Sequence, residues 1–172
     1  PYAKEGVQCQ DCHMPRKEGE IVTDNIKKSK VKFINDHNIQ GGHSIEQVKK
    51  AIKVEVKEVK RYPDKMRVFV DVTNAGSGHM VPTGTPSRKM LLDVTVKTET
   101  GQILKEQKIY KKILVGAGGI EFTKDSEVMC NRSAISSDNR IKPKETRKEE
   151  FTFYIPQDVP VTVAAQAFYQ YN

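Results

Sequence analysis

Within the first fifteen residues stands the run Val7-Gln8-Cys9-Gln10-Asp11-Cys12-His13-Met14-Pro15. Two thiols separated by two residues can reach the two vinyl positions on one edge of a porphyrin and form thioethers there. The histidine that follows turns beneath the same ring and offers its imidazole to the iron. The spacing therefore predicts covalent haem c on Cys9 and Cys12 with His13 as the proximal iron ligand, and the chemistry is one-electron transfer at that metal. Two other uses of these residues fit less well. A redox dithiol opens a helix after a strand in a βαβ setting, and no such pattern surrounds Cys9. Zinc needs four nitrogen or sulfur donors, whereas adjacent Cys12 and His13 do not easily share one tetrahedral ion and no second half-site follows.

The sixth position on the iron separates electron transfer from chemistry on a bound molecule, because an open position takes up small ligands. His37, His43 and His79 are the remaining histidines. His37 and His43 flank Gly41-Gly42, where missing side chains let the backbone pass close to a porphyrin. His37 is the expected distal ligand, ahead of His79 and then His43, with the extra histidines available to haems on other segments. Methionine is the alternative donor and would raise the potential. Met14 is too near His13 to swing to the opposite face, and Met66, Met80, Met90 and Met129 read as packing residues. Bis-histidine ligation is the expectation, and a five-coordinate haem enzyme or small-ligand sensor is its alternative. Cys130 is given no role, since only Arg132 nearby would activate its thiol. Arg88 and Lys89 suit haem propionates, although solvation is the commoner fate of such a pair. Asn131-Arg132-Ser133 matches a glycosylation acceptor and carries little weight.

These residues must be held by elements of two kinds. Residues 1–44 contain both motif cysteines and all the histidines but His79, with little apolar periodicity. Such a segment cannot build its own core, and a haem would supply one. From about Ile45 onward the pattern changes to period-two alternation, the mark of half-buried strands. Ile52, Val54 and Val56 alternate with charged residues, as do Val68, Val70 and Val72 and then Leu92, Val94 and Val96 with their neighbours. Thr100-Gly101 is a turn signal, and Ile103 to Val115 reads as a further strand broken near Lys111-Lys112. Gly116 to Arg140 reads as loop. Alternation returns at Phe151, Phe153 and Ile155 and again from Val161 to Tyr169. About seven short strands with such turns predict a mainly β chain: an irregular haem-binding segment, 1–44, followed by an immunoglobulin-like antiparallel β-sandwich, 45–172.

Composition narrows the partners. The 172 residues carry a formal net charge of +7, which suits an acidic partner or surface. The basic residues are spread along the chain without a nucleic-acid module or an aromatic ladder, so nucleic acid is not expected. No apolar run is long enough to span a bilayer. The sequence opens at Pro1 without an initiator Met or a leader, which reads as a processed form or a piece of a longer protein.

Three runs carry a family resemblance: Gly6 to Pro15, His37 to Ser44, and Gly78-His-Met-Val-Pro-Thr-Gly-Thr-Pro-Ser-Arg88, with Arg140 to Arg147 as a further match. Together they resemble the C-terminal part of bacterial multihaem cytochromes c, in which several CxxCH sites precede a β-sandwich. The resemblance implies electron transfer along closely packed haems, redox proteins or other haem-bearing segments as partners, and a periplasmic, extracellular or cell-surface location. A single CxxCH in this chain is the departure from that pattern.

Overall fold

The structure, a computed structural model, describes residues 2–19, 32–85, 87–131 and 133–170. Pro86, Arg132 and Tyr171 lie outside the described residues. The chain divides into two compact units, Pro1–Val48 and Lys49–Asn172.

In the first unit a single helical turn at Tyr2–Glu5 precedes helix α1, Cys9–His13. Strand β1, Arg16–Glu18, then pairs antiparallel with β2, Phe33–Asn35, with Lys17 opposite Ile34. The Arg16 guanidinium lies 5.2 Å from the centre of the Phe33 ring, so even this ladder is stapled from its surface. None of the described residues of this unit is buried, as expected of a segment too short to make a core.

Helix α2, Ile45–Ala51, corrects the reading that strand character starts at Ile45. Ser44 is its N-cap: the Ser44 hydroxyl accepts from the Gln47 amide at 3.4 Å, and the Ser44 carbonyl accepts from the Val48 amide at 3.0 Å. Strands begin at Ile52. In the second unit β3 (Ile52–Arg61), β4 (Met66–Asn74) and β9 (Thr146–Phe153) form one antiparallel sheet in the order β3-β4-β9. Strands β5 (Lys89–Thr98), β6 (Ile103–Tyr110) and β10 (Val161–Gln170) form a second, in the order β10-β5-β6. A smaller ladder joins β7, Lys112–Val115, to β8, Ala134–Asp138. The break between β6 and β7 falls at Lys111, as the sequence suggested. The stretch read as loop instead holds β8 and a short helix α3, Asp125–Cys130, that ends on Cys130. Both are poor in buried residues, so no apolar period marked them.

The fold of the second unit is an antiparallel β-sandwich. Strand β4 alternates strictly between buried and half-buried positions, so Met66, Val68, Val70 and Val72 all point to one face. They pack with Met90, Leu92, Val94 and Val96 of β5 and with Phe151 and Phe153 of β9. Removing each such side chain from water is worth about 1.5–3 kcal/mol, and this burial fixes the register, because a slip by one residue would turn every valine outward. Asn74 occupies the next inward position of β4 and is fully buried. Its amide donates to the carbonyls of His79 (2.8 Å) and Ile141 (3.2 Å), and its oxygen accepts from the Ser77 amide at 3.1 Å. One polar side chain on an apolar face thus organises the loop that leaves the strand.

That loop doubles back on the end of α2. The amides of Ala75 and Gly76 both donate to the Ala51 carbonyl, at 2.9 and 3.2 Å. A Cβ on Gly76 would fall 2.2 Å from the Lys50 carbonyl oxygen, so only glycine fits. Gly101 differs: its φ of +88° disfavours a side chain, but the space around it is open. Gly101→Ala is therefore expected to cost about 1–2 kcal/mol in urea unfolding, the penalty for a left-handed alanine. Gly76→Ala has no left-handed penalty but must displace the Lys50 carbonyl, and it is expected to cost more; an equal or smaller loss there would show that the loop is not held against α2.

Candidate haem-binding site

Helix α1 puts Cys9, Cys12 and His13 at positions i, i+3 and i+4, which share one face of a helix. The turn is set from its N-terminal side. The Asp11 carboxylate reaches back to accept from the Gln8 amide at 2.7 Å, half of a capping box, and the Met14 amide closes the turn on the Gln10 carbonyl at 2.8 Å. Both thiols are exposed and are not paired with each other.

The imidazole of His13 is oriented from a loop 27 residues away. Its Nδ1 is hydrogen-bonded to the carbonyl oxygen of Gln40, and the Gln40 amide donates in return to the His13 carbonyl at 3.2 Å. A carbonyl can only accept, so Nδ1 carries a proton, and in the neutral ring the lone pair then sits on Nε2, the nitrogen an iron would take. Gln47 on α2 secures the arrangement: its Nε2 donates to the Cys12 carbonyl at 2.9 Å and lies 3.4 Å from the Gln40 side-chain oxygen. These donors fit a porphyrin. Among the described residues no group of three or more His, Cys, Asp or Glu side chains is gathered to hold a bare metal ion. A haem brings its own four equatorial nitrogens and asks the protein for exposed thiols and an imidazole of the right tautomer.

The loop that carries Gln40 also carries His37 and His43. Asp36 anchors its start: the Asp36 amide donates to the Pro15 carbonyl at 2.9 Å, and its carboxylate pairs with Lys17 at 3.2 Å and accepts from the Asn38 amide at 3.1 Å. The Asn38 amide and the Lys17 ammonium hold this carboxyl below the usual carboxylate range. The structure thus brings Cys9, Cys12 and His13 onto one turn and ties the His37–His43 loop to it through Gln40.

His79 belongs to the second unit, in the loop after β4. Its Nδ1 lies 2.9 Å from the Ser77 hydroxyl and 3.1 Å from the Met80 carbonyl, and the ring is exposed. The next residues are pinned by a two-way bridge between Val81 and Ile141, with amide-to-carbonyl distances of 2.9 and 2.8 Å. Nearby, the Ser87 side chain and amide, Thr85 and the Arg88 charge lower the Asp125 pKa. Arg88 therefore already stands near an acid of its own unit. Cys130 is exposed. Gln40, Gln47, Asn74 and Ser77 were not singled out by sequence. Asn74 left a trace there as a polar residue in phase with inward-facing valines, and Gln47 as the end of a Ser44-x-x-Gln47 helix start.

Models of known protein families and the curated proteins give no match to this chain. Among solved structures it is similar to a penta-heme cytochrome c552 from Thermochromatium tepidum, at 25% identity and a TM-score of 0.64. The likeness covers 95% of this chain and 39% of that one. The chain therefore has a multihaem-cytochrome-like fold and spans well under half the length of the protein it matches. Among the described residues no helix is long and apolar enough to cross a membrane.

Gln47→Ala removes the donor that joins the Cys12 carbonyl to Gln40. A net hydrogen bond is worth about 0.5–1.5 kcal/mol, so the α1 amides should exchange with solvent roughly 2- to 13-fold faster. Gln47→Glu, which keeps an acceptor but loses the donor, should behave alike. Unchanged exchange in both variants would mean that Gln47 does not hold α1.

Proposed function

We propose that this chain is an electron-transfer unit of a c-type cytochrome, with haem c bound through thioethers to Cys9 and Cys12 and with His13 Nε2 as its proximal iron ligand. One observation carries the reading: the CxxCH turn presents two open thiols beside an imidazole whose tautomer is set by the Gln40 carbonyl. The fold likeness to a multihaem cytochrome c supports the same role. When bound, the haem supplies a reversible one-electron couple. The chain's part is to fix the ring's position through two cysteines and to aim Nε2 of the His13 imidazole by holding Nδ1 on the Gln40 carbonyl. With a haem held there, the Nδ1–H bond to the Gln40 carbonyl would make that imidazole a stronger donor, which would favour the oxidised iron and lower the potential.

A second imidazole would complete bis-histidine ligation in this proposal, with His37, His79 and then His43 as the chain's candidates. Residues 1–44 form the haem-binding segment, and the sandwich serves as scaffold or docking face. The unit works within a multihaem electron-transfer chain, at the periplasm or cell surface, with redox proteins or other haem-bearing segments as partners.

Covalent attachment is the test. The purified holoprotein, precipitated in acid acetone, should keep its colour on the polypeptide, and a Cys9→Ala/Cys12→Ala double variant should lose the mass of one haem. Free extraction of porphyrin from the native protein, or an unchanged mass in the double variant, would remove the proposal. The reduced protein should also leave its spectrum unaltered under carbon monoxide, whereas a shift would favour a five-coordinate haem enzyme or sensor.

A further inference from the structure

Each of the two larger sheets of the sandwich has two edge strands, β10 and β6 in one, β3 and β9 in the other. A bare edge offers a row of backbone donors and acceptors to any passing strand, and charged side chains or a bulge discourage such pairing. Three of these edges carry such devices. Strand β3 has six charged residues among its ten and a bulge between Val56 and Glu58. Strand β6 carries Lys105, Glu106 and Lys108, and β9 carries charges from Arg147 to Glu150. Strand β10, Val161-Thr-Val-Ala-Ala-Gln-Ala-Phe-Tyr-Gln170, has no charged residue, glycine or proline, and it pairs with β5 along its whole length without a register shift.

The backbone groups that this edge leaves open can be assigned. The Glu99 amide donates to the Pro160 carbonyl at 3.3 Å, so residue 160 faces β5, while Thr98, opposite Val161, turns its amide the other way to the Gln102 carbonyl at 3.0 Å. Hydrogen-bonded and non-bonded pairs alternate along an antiparallel ladder, so the even-numbered residues of β10 bond β5. Val161, Val163, Ala165 and Ala167 therefore turn their N–H and C=O groups to the far side, where no strand among the described residues pairs with them. The same four side chains point toward the core and are only half-buried, whereas β9 buries Phe151 and Phe153 and β6 buries Tyr110. The flank of β10 is open in its backbone and half-exposed along its apolar row.

Charge narrows what can lie there. Residues 49–172 hold 22 Lys and Arg against 15 Asp and Glu, so the whole formal charge of +7 resides in the sandwich unit. An acidic partner gains nothing from a neutral strand and is drawn to the lysine-bearing edges instead. A second copy of this chain is repelled by those lysines and meets no charge at β10. The strand also complements itself. Its centre is small, with Ala164, Ala165 and Ala167 around Gln166, and its one large outward side chain, Phe168, is 42% exposed and stands toward one end. In an antiparallel pair with its two-fold axis at Ala165 or at Gln166, each Phe168 lies opposite Thr162 or Ala164 of the second copy on the same outer face.

We infer that β10 is a homodimerisation edge, at which two copies of this chain pair β10 with β10 antiparallel into one six-stranded sheet of order β6-β5-β10-β10-β5-β6. Val161, Val163, Ala165 and Ala167 then exchange backbone hydrogen bonds with the second copy, and their side chains gain cover. Because the same edge is used on both sides, the assembly closes at two. One strand pair belongs with the small, transient interfaces below about 1,200 Å² in total, so the dissociation constant is expected on the order of tens of micromolar. The edge involves none of the haem-binding residues, so dimerisation and haem attachment are tested separately.

Sedimentation velocity of the full-length holoprotein from about 1 μM to about 1 mM, a range that brackets this affinity, should show monomer passing to dimer and no further. Hydrogen exchange at the two ends of the range locates the contact. The amides of Val161, Val163, Ala165 and Ala167 should slow by about tenfold in the concentrated sample, while those of Thr162, Ala164, Gln166 and Phe168 should be slow in both. Ala165→Pro removes an N–H from the open side and leaves the β5 ladder whole, so it should keep the protein folded and monomeric in the concentrated sample. Ala164→Lys/Gln166→Lys leaves the backbone alone and sets like charges against each other across the axis, which should weaken the dimer about 2- to 30-fold. A protein that stays monomeric throughout, a dimer whose open-side amides still exchange freely, or an undiminished dimer in both variants would overturn the inference. So would open-side amides already slow in the dilute monomer, which would mean that another segment of the same polypeptide covers them.

Discussion

The hydrogen bond from His13 Nδ1 to the Gln40 carbonyl is the contact on which the haem segment depends. It is a local bond with two remote effects. It puts the lone pair of the neutral imidazole on Nε2, which decides how the ring can bind a metal, and it ties the His37–His43 loop to the CxxCH turn 27 residues earlier in the sequence. Gln47 adds a second clasp from α2 to the Cys12 carbonyl. None of the described residues of this segment is buried, so its order rests on these polar contacts, on the Asp36 anchor and, when bound, on the haem.

The sandwich obeys a different constraint. Its two larger sheets are fixed by burial of alternating faces, and the buried Asn74 and Tyr110 side chains are each hydrogen-bonded there. Asn74 continues the inward row of β4 and answers two backbone groups of the loop beyond it and the Ile141 carbonyl. Tyr110 is similar: its ring is buried and its hydroxyl donates to Glu149 at 2.9 Å, while burial first and the Glu149 charge second push its pKa well above the ordinary tyrosine value. Tyr110 belongs to β6 and Glu149 to β9, so this bond links an edge strand of one sheet to an edge strand of the other.

Much of this was legible in the sequence because it rests on period and spacing. The CxxCH run specifies its turn almost by itself, and the valines of β4 and the Leu92-Val94-Val96 row of β5 announce strands through their alternation. What escaped notice has common physical causes. Helix α2 is short and half-exposed, and its clearest signal was the Ser44-x-x-Gln47 start rather than an apolar stripe. Strand β8 is wholly exposed, so alternation had nothing to report. The clasp on His13 uses a backbone carbonyl, which every residue has, and no residue type can mark it in advance.

The account's central claim is that His13 binds iron through Nε2 while its Nδ1 proton is held by the Gln40 carbonyl. Nuclear magnetic resonance of the reduced holoprotein, with histidine ring nitrogens labelled, tests it most directly. The account predicts a slowly exchanging proton on His13 Nδ1, coupled across the hydrogen bond to the Gln40 carbonyl carbon, and an Nε2 resonance displaced by coordination. A His13 ring whose Nδ1 proton exchanges rapidly with water, or whose displaced nitrogen is Nδ1, would contradict it.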